Sequence, residues 1–368
     1  MAEAFTGSEK AITALRGLYS GYGYTQFKMS KFEEYDLYVK NKDFLISDQV
    51  LTFTDLNGKL MALKPDVTLS IVKSLGAWQG GVKKLYYHEN VYRPGSGTRS
   101  FRELMQVGLE CLGDVGEYEL SEVLLLAAES LRRLSDDYVL EISHLGILTE
   151  ALKAAGLPEE RIPEAARLIG EKNRHELIAL CRECGVTEGK TALLSELVNT
   201  CGNAGETLPK LNALLGSVMD GAYLNELGRI LNALRSSDIF PALRLDLSSV
   251  SDLNYYNGIV FKGYIKGIPS AVLSGGSYDR LMKKLGHHAK ATGFAVYLDL
   301  LERLEPLPKY DADTLLLYEQ GEDPAVIRAC AEKLRAEGGS VLVQPQIPAE
   351  TRYRRLAKIA EGGVKYLD

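Results

Sequence analysis

Apolar residues recur at helical spacing over 8–21, with Ala11, Ile12, Leu15 and Leu18 on one face, ahead of a turn-like aromatic stretch from Gly21 to Phe27. Short apolar runs broken by turn residues follow. VLTFT (50–54), the Asn57-Gly58 turn signal and LMAL (60–63) predict a hairpin. Pro65 ends it, Asp66 stands where a helix N-cap belongs, and a helix is predicted over Thr68–Leu75. Strands are predicted at 84–93 and 104–112 on either side of Pro94-Gly95-Ser96-Gly97-Thr98, a long helix over 117–134, and a strand at 138–142. From about 146 to 235 the texture is helical, dense in Leu, Ala and Glu, and predicts a helical insertion. Strand patterns return at 244–247, 259–264 and 270–273, then a Gly275-Gly276 turn and an apolar stretch at 291–301. Pro306 and Pro308 read as a linker. Beyond it a strand (314–318), a helix (324–337), a strand (340–344), a helix (350–361) and a final strand-like VKYL predict a small βαβ module.

Strands joined by short turns argue for an antiparallel sheet. The predicted fold class is therefore α+β: residues 1–305 form an antiparallel sheet with flanking helices and the insertion, and 306–368 a small C-terminal α/β module. At 46% hydrophobic and 25% charged, the 368-residue chain has the composition of a globular protein, which excludes wholesale disorder and fibrous classes. A net charge of -6 argues against a non-specific nucleic-acid coat. No apolar run approaches the ~20 residues that span a bilayer, and the N-terminus has no signal-peptide pattern, so neither a membrane nor secretion is expected. Five cysteines suit a reducing cytosol better than a disulfide scaffold.

Three segments could carry chemistry. In LKPDVT (63–68), Asp66 and Thr68 could bind an ammonium group, although either residue alone reads as a helix cap. In YYHENVYR (86–93) and FRELMQVGLE (101–110), Arg93, Arg99 and Arg102 surround a loop. Gln106, Gly108 and Glu110 share one strand face, opposite Met105, Val107 and Leu109, as in a lined pocket or a half-solvated strand. In NYYNGIVF (254–261) and SGGSYD (274–279), the glycines permit close backbone approach or form a hairpin turn. Cys181-Arg182-Glu183-Cys184, with His175 and Cys201 nearby, lacks the register of a zinc site and reads as helix, so no metal is expected. His287-His288 reads as a solvated loop, 158–190 as a solvated helix face, and the arginines at 352, 354 and 355 as a solvated or partner-docking edge.

Together, these segments resemble the class II aminoacyl-tRNA synthetase core, specifically the histidyl-tRNA synthetase family, from about residue 5 to 305. LKPDVT resembles its amino-acid-binding corner, YYHENVYR…FRELMQVGLE its motif 2, LNYYNGIVF its histidine-recognition segment, and GGSYDRL…GFAVYLDLL its last core strand and motif 3. The resemblance implies a histidine pocket of Asp66, Thr68, Arg93, Gln106, Glu110, Tyr255, Tyr256 and Tyr278. There a carboxylate pair would hold the α-ammonium and tyrosines would surround the imidazole. Aspartate stands at 66 in place of the usual glutamate.

The departures fall on the ATP side. The motif 3 arginine position is Leu300, the activating arginine position is Ser251, with Asp252 and Asn254 also off-pattern, and the GGRYD arginine is Ser277. Arg93 is followed by Pro94-Gly95 rather than by the motif 2 glutamate. Losing one transition-state cation costs roughly 10²–10³-fold in rate. Only ~60 residues follow Pro308, with 9 basic and 10 acidic residues over 309–368, unlike an RNA reader.

A synthetase-like core with these losses resembles the ATP phosphoribosyltransferase regulatory subunit family. The resemblance implies a non-catalytic regulatory subunit, needed for activity of the short catalytic subunit in the first step of histidine biosynthesis and involved in feedback inhibition by histidine. It implies a hetero-oligomer with that catalytic subunit, a class II-type dimer with itself through 21–34, no cofactor and no nucleic-acid partner. The usual motif 1 proline is missing from 21–34, where Met29-Ser30 stand. The rival expectations are an active enzyme making histidyl-adenylate or a related acyl-adenylate, and a histidine sensor acting on another partner.

Overall fold

The computed structural model describes residues 7–42, 49–76, 80–95, 100–250, 255–304, 309–360 and 363–367, with the side chains of 302–304 left aside. Arg99, the 251–254 segment with Ser251, Asp252 and Asn254, and the Pro306–Pro308 linker lie outside the described residues. The chain divides into two compact units, Met1–Leu304 and Glu305–Asp368.

The first unit opens with α1 (Gly7–Gly21), β1 (Thr25–Gln26), β2 (Phe32–Glu34) and α2 (Tyr35–Val39). The predicted hairpin is β3 (Thr52–Thr54) and β4 (Leu60–Leu63); Asp55 closes its turn by accepting the amides of Asn57 and Lys59. Next come α3 (Thr68–Ser74), the ribbon β5 (Val82–Pro94) and β6 (Phe101–Gly113), α4 (Glu117–Leu134) and β7 (Tyr138–His144). The predicted insertion is α5 (Leu145–Ala155), α6 (Ile162–Gly170), α7 (Arg174–Glu183), α8 (Glu188–Leu197), β8 (Cys201–Asn203), α9 (Ala204–Leu215) and α10 (Ala222–Leu234). The unit ends with β9 (Leu243–Asp246), β10 (Ile259–Ile265), β11 (Leu273–Ser277), α11 (Asp279–Lys284), β12 (Lys290–Tyr297) and a 3₁₀ turn, Leu298–Leu304.

Nine strands form the main sheet in the order β1-β5-β6-β12-β11-β10-β7-β9-β8. Its centre is antiparallel as expected, but β1·β5 and β7·β9 pair in parallel, so the sheet is mixed. The helical stretch is not a pure insertion either, because β8 joins the sheet edge beside β9. Three residues between Leu/Ala-rich helices carry no strand periodicity; sheet pairing alone makes Cys201–Asn203 a strand.

The long helix α4 forms where its pattern predicts. Glu119 accepts the Gly116 amide at its start, Arg132 and Arg133 sit in its last turn, and Val123, Leu124, Leu126, Ala127 and Leu131 are buried. Leu131 lies against Gly263 of β10, so α4 covers one face of the sheet. Val107, Leu109, Phe261, Leu273 and Phe294 join that core. The alternate residues of the same strands therefore point to the opposite face.

Gly275 and Gly276 are not a turn but the middle of β11, which starts three residues later than the 270–273 prediction. A Cβ on Gly275 would overlap the Gly293 carbonyl and Phe294, and one on Gly276 would overlap Tyr256 and the Ile259 carbonyl. The pair is there for close packing within and above the sheet. The apolar stretch 291–301 splits between β12 and the 3₁₀ turn.

The second unit comprises β13 (Ala312–Leu317), α12 (Pro324–Ala336), β14 (Val341–Gln344), β15 (Tyr353–Ala360) and β16 (Gly363–Leu367), in the order β14-β13-β15-β16. The predicted helix over 350–361 is the strand β15. Its apolar spacing imitates a helix, but pairing with β13 buries Ala357 and Ile359 against Cys330, Ala331 and Leu334 of α12. No helix among the described residues is long and apolar enough to cross a membrane.

Candidate functional site

A cavity of about 360 Å³ opens on the sheet face opposite α4. Its floor follows from register. Glu110 pairs with Gly293, and Gly293 with Gly276, across β6, β12 and β11. A Cβ on Gly293 would overlap the Glu110 carboxylate, so a glycine here makes the space Glu110 fills. The walls come from the α3 corner and from the segment preceding β10.

Asp66 caps α3 from one position before the cap residue, Val67: its Oδ1 accepts the Leu69 amide at 2.9 Å. Thr68 donates its hydroxyl to Glu110 Oε1 at 2.7 Å, and Tyr278 donates to Glu110 Oε2 at 2.5 Å. Arg93 Nε donates to the Pro65 carbonyl at 2.8 Å, with Nη2 3.9 Å from Asp66 Oδ2. Lys64, fully buried, donates to Glu89 Oε2 at 2.5 Å, and the Tyr92 amide donates to the Lys64 carbonyl at 2.9 Å. The 64–66 corner is thus tied to β5 by Glu89, Tyr92 and Arg93. Tyr255 packs edge-on to Tyr256, centroids 4.6 Å apart, and lies 6.1 Å from Tyr278.

Burial governs the electrostatics. Glu110 is 2% exposed, and desolvation pushes its carboxyl up to about 8. The Tyr278 and Thr68 hydrogen bonds hold that rise back, while the Asp66 charge adds to it. Desolvation also raises Asp66; Arg93 and the amides of Leu69 and Thr68 pull it back. Tyr87, Tyr255, Tyr256 and Tyr278 are pushed well above their ordinary range by burial and the nearby carboxylates, so their hydroxyls stay protonated. Such a cavity offers aromatic walls, hydroxyl donors and two acids suited to a small cationic or zwitterionic molecule.

All eight candidate residues, Asp66, Thr68, Arg93, Gln106, Glu110, Tyr255, Tyr256 and Tyr278, line this one cavity. The sequence reading missed Tyr87, Lys262, Ser274 and Tyr297, which line it too. Their signal was period-2 alternation along the strands, which points to a site only once register is known. Arg102 is exposed on β6, outside the lining. Among the described lining residues Arg93 is the one guanidinium. Leu300 packs against the hydrophobic core, and Ser277 is buried with its Cβ beside Gly258. Cys181 is buried in α7, Cys184 caps that helix and Cys201 is exposed; among the described residues no three metal-ligating side chains cluster.

A family model described as histidyl-tRNA synthetase matches residues 3–301. The chain is 30% identical over 321 residues to the ATP phosphoribosyltransferase regulatory subunit of Moorella thermoacetica, an alignment covering 85% of this chain and 81% of that protein. A crystal structure from Bacillus halodurans, described as an ATP phosphoribosyltransferase regulatory subunit/histidyl-tRNA synthetase, superposes with a TM-score of 0.75 at 26% identity, over 92% of this chain and 88% of that one. A chain of the ATP phosphoribosyl transferase complex of Thermotoga maritima shares the fold, with a TM-score of 0.63 at 18% identity, over 80% of this chain and 98% of that one. The family model spans most of the chain and the Moorella relative aligns over most of both proteins, so this chain belongs to the family of ATP phosphoribosyltransferase regulatory subunits, on the histidyl-tRNA synthetase fold.

Proposed function

We propose that this chain is the non-catalytic regulatory subunit of an ATP phosphoribosyltransferase. In this reading it binds the short catalytic subunit, supports its activity in the first step of histidine biosynthesis, and pairs with a second copy of itself through the 21–34 region. Histidine in the cavity is the effector, held by Asp66, Thr68, Arg93, Gln106, Glu110, Tyr255, Tyr256 and Tyr278. Occupancy favours one arrangement of the complex and so shifts the partner's rate.

One observation carries the reading. Asp66, Glu110 and the tyrosines line one cavity, whereas Leu300 packs against the hydrophobic core and Arg93 is engaged with Pro65 and Asp66. Adenylate formation needs cations placed against the phosphates, and the described lining supplies few.

The test is the rate of the short catalytic subunit with and without this chain, titrated with histidine. Expected are a higher rate with the chain and a fall as histidine rises. An unchanged rate and unchanged inhibition would remove the proposal. ATP–pyrophosphate exchange driven by histidine is expected to be absent; turnover there would favour a ligase.

A further inference from the structure

The proposed ligand, a free α-amino acid, brings a carboxylate as well as an ammonium group. A carboxylate taken out of water needs a cation or several donors. The resemblance places an activating arginine where this chain has Ser251. The described cavity lining contains two basic side chains, Arg93 and Lys262. Arg93 is engaged by the Pro65 carbonyl and Asp66. Lys262 makes no hydrogen bond or ion pair with any described residue.

Its position is set by the sheet. Lys262 pairs with Ser274 on β11 and Glu141 on β7, and Ser274 pairs with Ala295, which pairs with Gly108. This row lies on the cavity face, one step along the strands from the row of Glu110, Gly293 and Gly276. The Ser274 and Tyr297 hydroxyls are hydrogen-bonded at 2.7 Å beside it. At the ~4.8 Å spacing between neighbouring strands, β6 and β10 stand ~14 Å apart. The cavity is therefore bipolar, with Asp66 and Glu110 towards one side and, towards the other, an ammonium that pairs with no described residue.

We propose that Lys262 is the cation that receives the carboxylate of the amino acid in this cavity, and that it makes the cavity select the free amino acid over the corresponding amine. The inference rests on the histidine-pocket reading above. The cross-strand neighbour Glu141 makes no ion pair with Lys262.

The test is calorimetric titration of the full chain with L-histidine and with histamine, which has the same ring and amine but no carboxylate. The unmutated chain should prefer histidine by tenfold to a hundredfold, on the order of one charge-assisted hydrogen bond. Lys262→Met should bring that ratio close to one while histamine binding stays within about twofold, and Lys262→Arg should keep most of the preference. Lys262→Gln carries the same expectation as the methionine variant should the latter fold poorly. A ratio in the neutral variants as large as in the unmutated chain overturns the Lys262 assignment and leaves the pocket reading standing. Binding of neither compound by the unmutated chain overturns both.

Discussion

The cavity floor and the exit of the last strand of the main sheet are close in sequence and opposite in chemistry. At the floor, Gly293 leaves room for a buried acid, and Glu110 takes hydrogen bonds from Thr68 and Tyr278. At the exit, Leu300 and Leu301 pack against the core. The floor is therefore a polar network, and at the exit an apolar side chain is part of the protein's packing. The contrast teaches that a position where the resemblance expects a cation can carry a structural role instead, so that a charge placed there would cost stability.

The heaviest blow to the floor is Gly293→Ala. The added methyl has no space beside the Glu110 carboxylate and the Leu109 carbonyl. Histidine binding should fall below detection in calorimetry, and the urea midpoint should report a loss of about 3 kcal/mol. Unchanged binding would show that the floor is not the site.

The exit is probed by Leu300→Arg. If the contrast holds, the variant gains no histidine-dependent pyrophosphate exchange, and it loses about 1–2 kcal/mol because an apolar contact with the core is replaced by a charge. Restored exchange would mean that the two regions still form one working ligase site.

Proton linkage sharpens the picture of the floor. Burial holds Glu110 near 8 rather than its ordinary 4.5, so the folded chain keeps a proton that the unfolded chain releases. Glu110 therefore costs stability as pH rises from about 4.5 towards 8, and Glu110→Gln should flatten the fall in thermal midpoint over that window. A cationic ligand group favours the carboxylate form. At pH 7 the protons exchanged on histidine binding, read in buffers of different ionisation enthalpy, should differ between the unmutated chain and Glu110→Gln by up to about one. Equal proton counts would place the ligand away from Glu110.

The smallest expected effect is Tyr297→Phe, which deletes one hydrogen bond to Ser274 at the cavity's basic end. A cost of ~1 kcal/mol or less in stability and little change in histidine affinity are expected. A large loss of affinity would make the Tyr297 hydroxyl a direct ligand contact.

Much of the floor was legible in the chain. Gln106 and Glu110 alternate with Met105, Val107 and Leu109, and period 2 separates the faces of a strand without any knowledge of neighbours. The turn residues around the α3 corner and the apolar spacing of α4 are equally local signals. Lys262 was not legible. Its meaning depends on Ser274, Glu141 and Gly108, which are distant in sequence and brought alongside only by sheet order. The turn reading of Gly275-Gly276 and the helix reading of 350–361 failed for a related reason, while the close-approach reading of the glycines held. A glycine pair suits a turn or a tight interstrand approach equally well, and a mixed apolar spacing suits a helix or a strand, until a partner strand selects one.

The amino-acid sequence alone determined the fold class from short-range spacing, and through its resemblance to histidyl-tRNA synthetases it pointed to the acids and tyrosines that line the cavity and to a leucine at 300 where that resemblance expects an arginine. Tertiary structure decided that β8 joins the main sheet, that Leu300 packs against the core, and that Lys262 faces the cavity. Those facts are set by hydrogen-bonded pairing and close packing between residues far apart along the chain, and no local pattern encodes them.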